Sequence, residues 1–234
     1  DSCGVVSTPI LSNYTRIFDY DLGIMISASH NPYQDNGIKI FKKNGEKLSD
    51  NEEIDIEQKI SSENKDFLTV KNKTKINLIN SRNYEKNLIE KFHILSNYKE
   101  KIFVDFANGS LSKIGPTILE ELNLNFEGAF INPDGKNINK DCGATFPKKL
   151  SELTLMTKAS MGISFDGDAD RVMFCDELGE IVDGDYILAL IGIYLQKKGE
   201  LINNLLVGTH MSNLGFRKFL EKNNIKLLLA SVGD

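Results

Sequence analysis

Short apolar segments alternate with segments of helical periodicity along this chain, and this alternation restricts its fold more than any other feature. Apolar runs bounded by turn residues predict strands, whereas apolar residues spaced three or four positions apart predict helices. The predicted strands cover residues 22–26, 38–41, 101–107, 161–165, 172–175, 205–207 and 225–230. The predicted helices cover residues 52–60, 84–98, 113–122, 186–196 and 214–220. Such alternation is typical of parallel, doubly wound α/β layers, which is the architecture that the pattern predicts.

Local signals refine the ends of these segments. Asn36-Gly37 predicts a tight turn that returns the chain into the strand 38–41. Ser112 and Ser212 are predicted to cap the helices that follow them. The polar residues 44–80 predict a solvated helix over 52–60 and then a linker, and residues 132–145 read as a long loop.

Two changes in composition, near residues 82 and 181, predict three domains. Their expected bounds are residues 1–82, 83–180 and 181–234, with the first and last incomplete. The chain begins with Asp1 rather than Met and stops directly after the strand-like run 225–230. These ends predict a fragment from which both flanking parts are missing.

The composition excludes several classes of protein. Among 234 residues, 28 basic and 33 acidic side chains give a net charge of −5, so nothing suggests a surface for nucleic acid or anionic membranes. No apolar stretch is long enough to span a bilayer. Cys3, Cys142 and Cys175 are far apart and form no CxxC pair, which disfavours zinc and disulfides and favours a reducing cytoplasm.

The hexapeptide SASHNP, residues 27–32, follows the run 22–26, which reads as a buried core strand. Small polar residues just past such a strand lie in a loop on a rigid support, where binding and catalysis are often found. The stretch by itself leaves both a plain loop and a reactive loop open.

The most informative stretch is the acidic loop, residues 166–171, between two predicted strands. Asp166, Asp168 and Asp170 alternate with Gly167 and Ala169, which leave room for the chain to turn. Two like charges about 4 Å apart repel by about 4 kcal/mol at an effective dielectric of about 20, so converging carboxylates need a cation. Hard oxygen ligands without His or Cys indicate Mg²⁺ or a similar ion.

Two other interpretations of the acidic loop compete with a magnesium site. One is a solvated acidic turn whose carboxylates splay apart. The other is an EF-hand, with Glu177 at the twelfth position, but Arg171 stands where that loop needs a glycine and apolar residues 172–174 follow. A guanidinium next to a metal suits a phosphate that binds both.

Both loops together resemble the α-D-phosphohexomutases. The resemblance rests on GIMISASHNPYQDNGIKIF, residues 23–41, and FDGDADR, residues 165–171, with further support from INPDGKNINKDCGAT and VGTHMSNLGF, residues 131–145 and 207–216. It covers essentially the whole chain in order. It implies consecutive α/β domains with mixed sheets sandwiched by helices.

The resemblance also implies a metal site and a reactive serine. Ser29 matches the serine that carries a phosphoryl group. Asp166, Asp168 and Asp170 match Mg²⁺ ligands, and an oxygen of Ser29 or of its phosphate completes the site. Ser27 is then a structural hydroxyl.

Three further residues match catalytic positions of the family. Arg171 matches an arginine beside the phosphate. His30 and Lys39 match residues that help to move protons near the reacting hydroxyl, although a lysine that acts as a base needs a depressed pKa.

The implied reaction interconverts glucosamine 6-phosphate and glucosamine 1-phosphate through a sugar bisphosphate, for UDP-N-acetylglucosamine and cell-wall precursor synthesis. Its partners would be the hexosamine phosphate and the bisphosphate, and a homodimer stays open. Two alternatives remain: a mutase for glucose or mannose phosphates, and a non-catalytic module that binds Mg²⁺ or sugar phosphates. The fragment alone is expected to bind Mg²⁺ weakly and to turn over little sugar phosphate.

Overall fold

A computed structural model of the chain describes residues 1–62 and 76–232. Its helices are α1 Thr8–Ile17, α2 Asp50–Ser62, α3 Arg82–Lys91, α4 Leu111–Glu121, α5 Pro147–Thr157, α6 Gly184–Lys198 and α7 Leu214–Lys222. Its strands are β1 Leu22–Ile26, β2 Ile38–Lys42, β3 Ile102–Asp105, β4 Phe126–Ala129, β5 Met161–Phe165, β6 Val172–Asp176, β7 Ile181–Val182, β8 Leu205–Thr209 and β9 Lys226–Ala230. Short 3-10 turns cover His93–Asn97 and Ile202–Asn204.

The strands form three sheets within the described residues. β1 and β2 make an antiparallel pair, β8 and β9 make a parallel pair, and the central sheet has the order β4-β3-β5-β6-β7. In the central sheet β3 is parallel to β4 and β5, whereas β6 is antiparallel to both of its neighbours. The expectation of α/β units with mixed sheets is confirmed.

The expectation of purely parallel layers is wrong at three places, because the pairs β1–β2, β5–β6 and β6–β7 are antiparallel. In each pair the first strand returns into the second without an intervening helix. Parallel neighbours need a long crossover, whereas a direct connection makes the next strand antiparallel. Two of these three connections, β1 to β2 and β5 to β6, are the loops that the sequence singled out as chemically unusual.

Four apolar clusters support these sheets. Ile10 and Tyr14 of α1 pack with Val6 and with Ile114 of α4. Two clusters cover the two faces of the central sheet, one built around Phe103 and Leu150 and the other around Ile102, Val104 and Phe106. A fourth, Leu206, Phe216, Leu220 and Ile225, packs α7 against β8. The contact between α1 and α4 brings the segment with the serine loop against the central sheet.

β1 is not the buried strand that its composition predicts. Its residues Leu22, Ile24 and Ile26 are 58%, 59% and 73% exposed, and only Gly23 is buried. Within the described residues β1 pairs with β2 alone, and α1 contacts this pair. The apolar run therefore identified a strand correctly but overestimated how much of it is covered.

Several predicted element ends shift in the structure. The turn near Asn36-Gly37 lies instead at Pro32–Asp35, where the Asp35 N–H donates to the Pro32 carbonyl at 3.0 Å. Gly37 is needed because the backbone of Ser27 passes close to it: a Cβ at position 37 would lie 2.6 Å from the Ser27 carbonyl oxygen.

The predicted serine caps are also displaced. Ser112 lies inside α4, which begins one residue after Ser110. Asn213, not Ser212, caps α7 by accepting a hydrogen bond from the Phe216 N–H. Asparagine and serine are about equally good N-caps, so the sequence could not separate adjacent candidates.

The helix over 52–60 is confirmed as α2, which has no buried residue. The linker predicted after it falls largely on residues 63–75, outside the described residues. The helix over 84–98 splits at Phe92 into α3 and a 3-10 turn. β4 and α5 were not anticipated, because β4 is only four residues long and contains Gly128.

Candidate metal centre and serine loop

The acidic loop connects β5 to β6 and brings three carboxylates together. One oxygen each of Asp166, Asp168 and Asp170 lies within 4.8 Å of the other two. Asp166 and Asp168 are only 1% and 4% exposed. Ala169 provides the turn with a left-handed φ of 57°, and its N–H donates to the Asp166 carbonyl at 3.1 Å. The carboxylates thus converge rather than splay, which excludes the simple solvated turn.

The serine loop, residues 27–37, connects β1 to β2 and holds Ser29 in an unusual backbone conformation. Ser29 has a φ of 53°, in the left-handed region that non-glycine residues rarely adopt. Its N–H donates to Ser27 Oγ at 2.9 Å, and the Asn31 N–H donates to the Ala28 carbonyl at 3.0 Å. Ser27 therefore has the structural role expected of it.

The two loops meet although 137 positions separate them in the chain. Ser29 Oγ donates a hydrogen bond to Asp166 Oδ2 at 3.0 Å. Gly167 allows the loops to touch, since a Cβ there would lie 2.8 Å from both the Ser29 carbonyl oxygen and Asn139 Nδ2. The sequence predicted that Gly167 and Ala169 both allow the chain to turn. In the structure Gly167 lets the serine loop come close to the acidic loop, and Ala169 makes the turn.

Asn139 is a site residue that sequence reasoning missed. It is 8% exposed, and its Nδ2 donates to the carbonyls of Ser29 at 3.0 Å and Asn31 at 3.2 Å. Its own N–H donates to the Ala107 carbonyl at 2.9 Å. Its position in the unusual segment 131–145 was the only signal that could have found it.

Lys39 extends from β2 into the carboxylate cluster. Its Nζ lies 2.9 Å from Asp168 Oδ2 and 2.7 Å from Asp170 Oδ2. Burial by itself would lower the pKa of Lys39, but the hydrogen bonds and charges of Asp170 and Asp168 outweigh it and raise that pKa. Lys39 is therefore held as a cation in this arrangement, whereas a lysine base needs the opposite shift.

The three carboxylates are electrostatically unequal. Burial, with smaller contributions from the charges of Asp170 and Asp168, raises the pKa of Asp166 to about 6. Burial also acts on Asp168, but hydrogen bonds from Thr8 and Lys39 outweigh it and lower the pKa of Asp168.

Thr8, at the start of α1, is a second contact that the sequence did not indicate. Its Oγ1 donates to Asp168 Oδ2 at 2.6 Å, and its N–H donates to the Asp168 carbonyl at 3.0 Å. Thus the middle carboxylate of the acidic loop is fastened to an element that precedes it by 160 positions.

The residues at this cluster fit a hard divalent cation. Asp168 Oδ1 is buried and has no hydrogen-bond partner among the described residues. Leaving such an oxygen unpaired costs free energy, and a cation would satisfy it. All of the converging donors are carboxylate oxygens, the ligands preferred by Mg²⁺ and Ca²⁺ rather than by zinc.

The side chains of His30 and Arg171 make fewer contacts with the carboxylate cluster than Ser29 and Lys39 do. His30 follows Ser29, and its Nδ1 is buried without a hydrogen-bond partner in the described part of the chain. Arg171 is exposed, and its guanidinium makes no hydrogen bond or ion pair with the residues of 1–62 and 76–232. Only its backbone N–H enters the site, donating to Asp166 Oδ1 at 3.1 Å.

A cleft of about 570 Å³ opens beside Ser29 and Asp168. It lies between the serine loop, the acidic loop, the beginning of α4 and the loop around Pro133 and Ile138. The Ser29 side chain therefore borders space large enough for a small molecule.

None of the described helices is long and apolar enough to cross a lipid bilayer.

Three consecutive family models match the chain. They describe α/β/α domains I, II and III of phosphoglucomutase/phosphomannomutase and match residues 2–67, 82–179 and 183–234. Among curated relatives, the phosphoglucosamine mutases of Staphylococcus epidermidis and Staphylococcus aureus are each 42% identical over 99% of this chain. The chain spans about half of their length, 52% in both cases.

Solved structures share the fold. A phosphoglucomutase/phosphomannomutase family protein from Burkholderia thailandensis superimposes with a TM-score of 0.74 at 20% identity, over 99% of this chain and 51% of that one. The N-acetylphosphoglucosamine mutase of Aspergillus fumigatus, in complex with GlcNAc-6P and magnesium, gives a TM-score of 0.70 at 20% identity, over 97% and 60%.

The matched models follow one another in domain order and account for nearly all of the chain. The converging serine and aspartate loops lie inside the matches to domains I and II. The chain therefore belongs to the phosphoglucomutase/phosphomannomutase family, the α-D-phosphohexomutases that its two loops resemble.

Proposed function

We propose that this chain carries the phosphoryl-transfer half of a mutase that interconverts glucosamine 6-phosphate and glucosamine 1-phosphate, with Ser29 as the phosphoryl carrier. The observation that supports it most strongly is the 3.0 Å contact between Ser29 Oγ and Asp166 Oδ2. A hydroxyl beside three converging carboxylates is the arrangement that a metal-assisted phosphoryl carrier requires.

The choice of glucosamine rests on the curated relatives. Phosphoglucosamine mutases are 42% identical to almost all of this chain. The Aspergillus enzyme, which resembles the chain in fold, is in complex with GlcNAc-6P and magnesium. A sugar bisphosphate would be the intermediate, as in the reaction that the family resemblance implies.

Asp166, Asp168 and Asp170 would hold Mg²⁺, together with an oxygen of Ser29 or of its phosphate. When bound, the ion neutralises phosphoryl oxygens and stabilises the charge that develops on them. The unpartnered Asp168 Oδ1 supports this assignment.

Transfer from the serine needs no external reactant. The bond between Ser29 Oγ and phosphorus breaks as the sugar hydroxyl oxygen bonds to the same phosphorus; a base takes the proton of the sugar hydroxyl, and Ser29 Oγ takes up a proton as it leaves. After the bisphosphate turns around, its other phosphoryl group is transferred to Ser29 Oγ, which gives up its proton, and the sugar oxygen that is released takes up a proton.

The neighbouring side chains divide the remaining roles. Lys39, fixed between Asp168 and Asp170, would balance charge on the transferring group. His30 follows the serine, and its Nδ1 has no hydrogen-bond partner among the described residues. It would accept the proton and return it. Arg171, exposed at the end of the acidic loop, would reach toward the phosphate once it is present.

Phosphoryl labelling tests the proposal. The chain is incubated with glucose 1,6-bisphosphate and Mg²⁺, and intact mass with fragment mapping follows the modification. We expect one phosphoryl group on Ser29, absent in Ser29→Ala and retained in Ser62→Ala, which removes an exposed serine at the end of α2. Equal labelling of Ser29→Ala, or none of the unmodified chain, would contradict the proposal and favour a non-catalytic binding module.

The second candidate is a mutase for glucose or mannose phosphates, supported by the description of the family models. A coupled assay that compares glucosamine, glucose and mannose 1-phosphates on labelled protein separates the candidates. Faster dephosphorylation of Ser29 by a glucosamine phosphate favours the first, and faster dephosphorylation by the others favours the second.

The proposal includes the domain bounds 1–82, 83–180 and 181–234. The gap between the family models at 180–182 contains the second boundary, and the gap at 68–81 ends next to residue 82, so both gaps support boundaries near these positions. It also includes a cytoplasmic location, supported by the three free cysteines, since reducing compartments keep thiols unpaired.

A further inference from the structure

Asp168 uses its two carboxylate oxygens differently. Oδ2 accepts hydrogen bonds from Thr8 Oγ1 at 2.6 Å and from Lys39 Nζ at 2.9 Å. Oδ1 is buried and has no partner among the described residues. The side chain as a whole is 5% exposed, so water does not readily replace the missing partner.

The oxygen with two donors and the oxygen with none belong to one planar group. Fixing Oδ2 therefore also fixes the direction in which Oδ1 points. Oδ1 is therefore the oxygen of Asp168 left for a cation, and Asp168 belongs to the cluster in which one oxygen each of Asp166, Asp168 and Asp170 lies within 4.8 Å of the other two.

Thr8 is better suited than Lys39 to fix this orientation. Its β-branched side chain has a stiff χ1, whereas lysine has a long flexible stem. It also holds Asp168 twice, through Oγ1 and through a backbone N–H bond of 3.0 Å to the Asp168 carbonyl. α1 itself is anchored in the core by Ile10 and Tyr14, each 1% exposed.

We propose that Thr8 is a positioning residue of the metal centre. Its hydroxyl holds Asp168 Oδ2 and so presents Oδ1 to the cation. The inference rests on the metal site of the proposed function. Groups that orient a metal ligand in this way typically change metal affinity by about 10–100-fold when removed.

The test measures binding of Mn²⁺ to the 234-residue chain, with free Mn²⁺ followed by electron paramagnetic resonance. Thr8→Val keeps the shape of the side chain and removes the hydroxyl, and we expect its Mn²⁺ affinity to fall about 10-fold. Thr8→Ser restores the hydroxyl and should recover most of the affinity, which a role in packing alone would not produce.

Thr15→Val is the matched control. Thr15 lies in the same helix, is 1% exposed, and donates its hydroxyl to the Leu11 carbonyl at 2.9 Å. This substitution also loses a buried hydroxyl bond but should leave Mn²⁺ affinity unchanged. Thermal melts of all variants separate loss of folding from loss of affinity, and Thr8→Ala compared with Thr8→Ser repeats the test if Thr8→Val does not fold.

The outcomes distinguish this inference from the proposed function. If the unmodified chain and Asp168→Asn bind Mn²⁺ equally, or neither binds it, the metal site itself is wrong. If the unmodified chain binds Mn²⁺ and Thr8→Val binds it as tightly, only the role of Thr8 is overturned. Affinity in Thr8→Ser as low as in Thr8→Val would also overturn it.

Discussion

The acidic loop and the serine loop form one site but are held in place by different means. The acidic loop connects β5 and β6, which pair along five residues inside a five-stranded sheet, and Asp166 and Asp168 are almost fully buried. The serine loop connects the two strands of a small sheet whose Ile26 is 73% exposed. The acidic loop is supported by its own sheet, whereas the serine loop depends on contacts from Asp166 and Asn139, which lie outside its own sheet.

This difference shows where the geometry of the site is vulnerable. Ser29 occupies a left-handed conformation that a serine does not favour, and such strain persists only where the surroundings impose it. The groups that hold Ser29 by hydrogen bonds are Ser27, Asn139 and Asp166, and the last two lie beyond residue 130. Substitutions that disturb the contacts of the serine loop with Asp166 and Asn139 should therefore displace the serine loop before they affect the acidic loop.

The largest effect is expected from Gly167→Ala, which inserts a methyl group between the two loops. The new Cβ would lie within 2.8 Å of the Ser29 carbonyl oxygen and within 2.7 Å of Ile138 Cδ1. We expect a loss of about 3 kcal/mol in the free energy of unfolding, the upper end of common overpacking costs, and loss of Ser29 labelling. Urea unfolding and the phosphoryl-labelling assay measure both.

Gly184→Ala is the control for this substitution. Gly184 begins α6 with ordinary φ, and a Cβ there meets nothing within 4 Å. Its effect should stay within about 0.5 kcal/mol. Equal stability and labelling of the two alanine variants would show that the loops do not need the close approach at Gly167.

Asn139→Asp should have the next largest effect. It keeps the side-chain shape but replaces the Nδ2 donor, so the carbonyls of Ser29 and Asn31 lose their partner and face a negative charge. We expect a loss of about 2 kcal/mol in the free energy of unfolding.

Asn123→Asp tests whether that effect is specific. Asn123 also has a left-handed φ, 54°, but is exposed. Chemical denaturation should show a change below about 0.5 kcal/mol for it. If Asn139→Asp is as mild, the serine loop is supported by its own sheet and the comparison between the loops is wrong.

A smaller effect is expected in the pH dependence of the free energy of unfolding, through Asp105 in the central sheet. Asp105 is 0% exposed, and its carboxylate accepts hydrogen bonds from the N–H groups of Ala107 at 2.8 Å and Gly143 at 2.7 Å. Burial outweighs these bonds and raises the pKa of Asp105 above its ordinary value. Between the ordinary value of about 3.9 and the raised pKa of the folded protein, Asp105 therefore holds its proton more often in the folded state than in the unfolded state.

It follows that the contribution of Asp105 to the free energy of unfolding is greatest below this interval and falls as the pH rises through it. Carbon NMR of the Asp105 carboxyl, together with urea unfolding across this pH range, measures the effect. An Asp105 carboxyl that titrates at or below the ordinary value would show that this part of the sheet is more hydrated than its burial indicates.

The mildest test leaves the fold intact and compares thiols in the two regions. Burial, with the charges of Asp105 and Asp141, raises the pKa of Cys142 to about 12, and its side chain is 0% exposed. Cys3, near α1, is only partly buried. Iodoacetamide at pH 8 should alkylate Cys3 first and Cys142 only on unfolding, as peptide mapping would show. Early labelling of Cys142 would show that its segment opens as readily as the segment near α1, which would contradict the comparison between the two regions.

Much of the fold could be predicted from local pattern. The strands at 161–165 and 172–175 and the helix at 186–196 were found because apolar runs and helical spacing are local properties of the chain. β4 and α5 were missed. β4 is short and contains Gly128, and the apolar residues of α5 do not mark a single clear face.

Burial was predicted less well than element type. The apolar run of β1 indicated a strand but could not show that Leu22, Ile24 and Ile26 are exposed, since exposure depends on which elements cover a face. The cap of α7 moved from Ser212 to Asn213 for a related reason, because both residues can accept the bond and only the backbone path selects one.

The amino-acid sequence was sufficient to identify the groups of the candidate site: a serine loop, three alternating carboxylates, and Lys39 on the strand that follows the serine loop. These are residue types and local spacings, which the chain carries without reference to its fold. The family resemblance implied that Ser29 completes the aspartate site, but the folded structure was needed to show the contact between Ser29 and Asp166, the support of the two loops by Thr8 and Asn139, and the exposure of the Arg171 side chain. Those contacts join positions more than 100 residues apart, and no local pattern encodes which distant backbone groups a folded chain will bring within hydrogen-bonding distance.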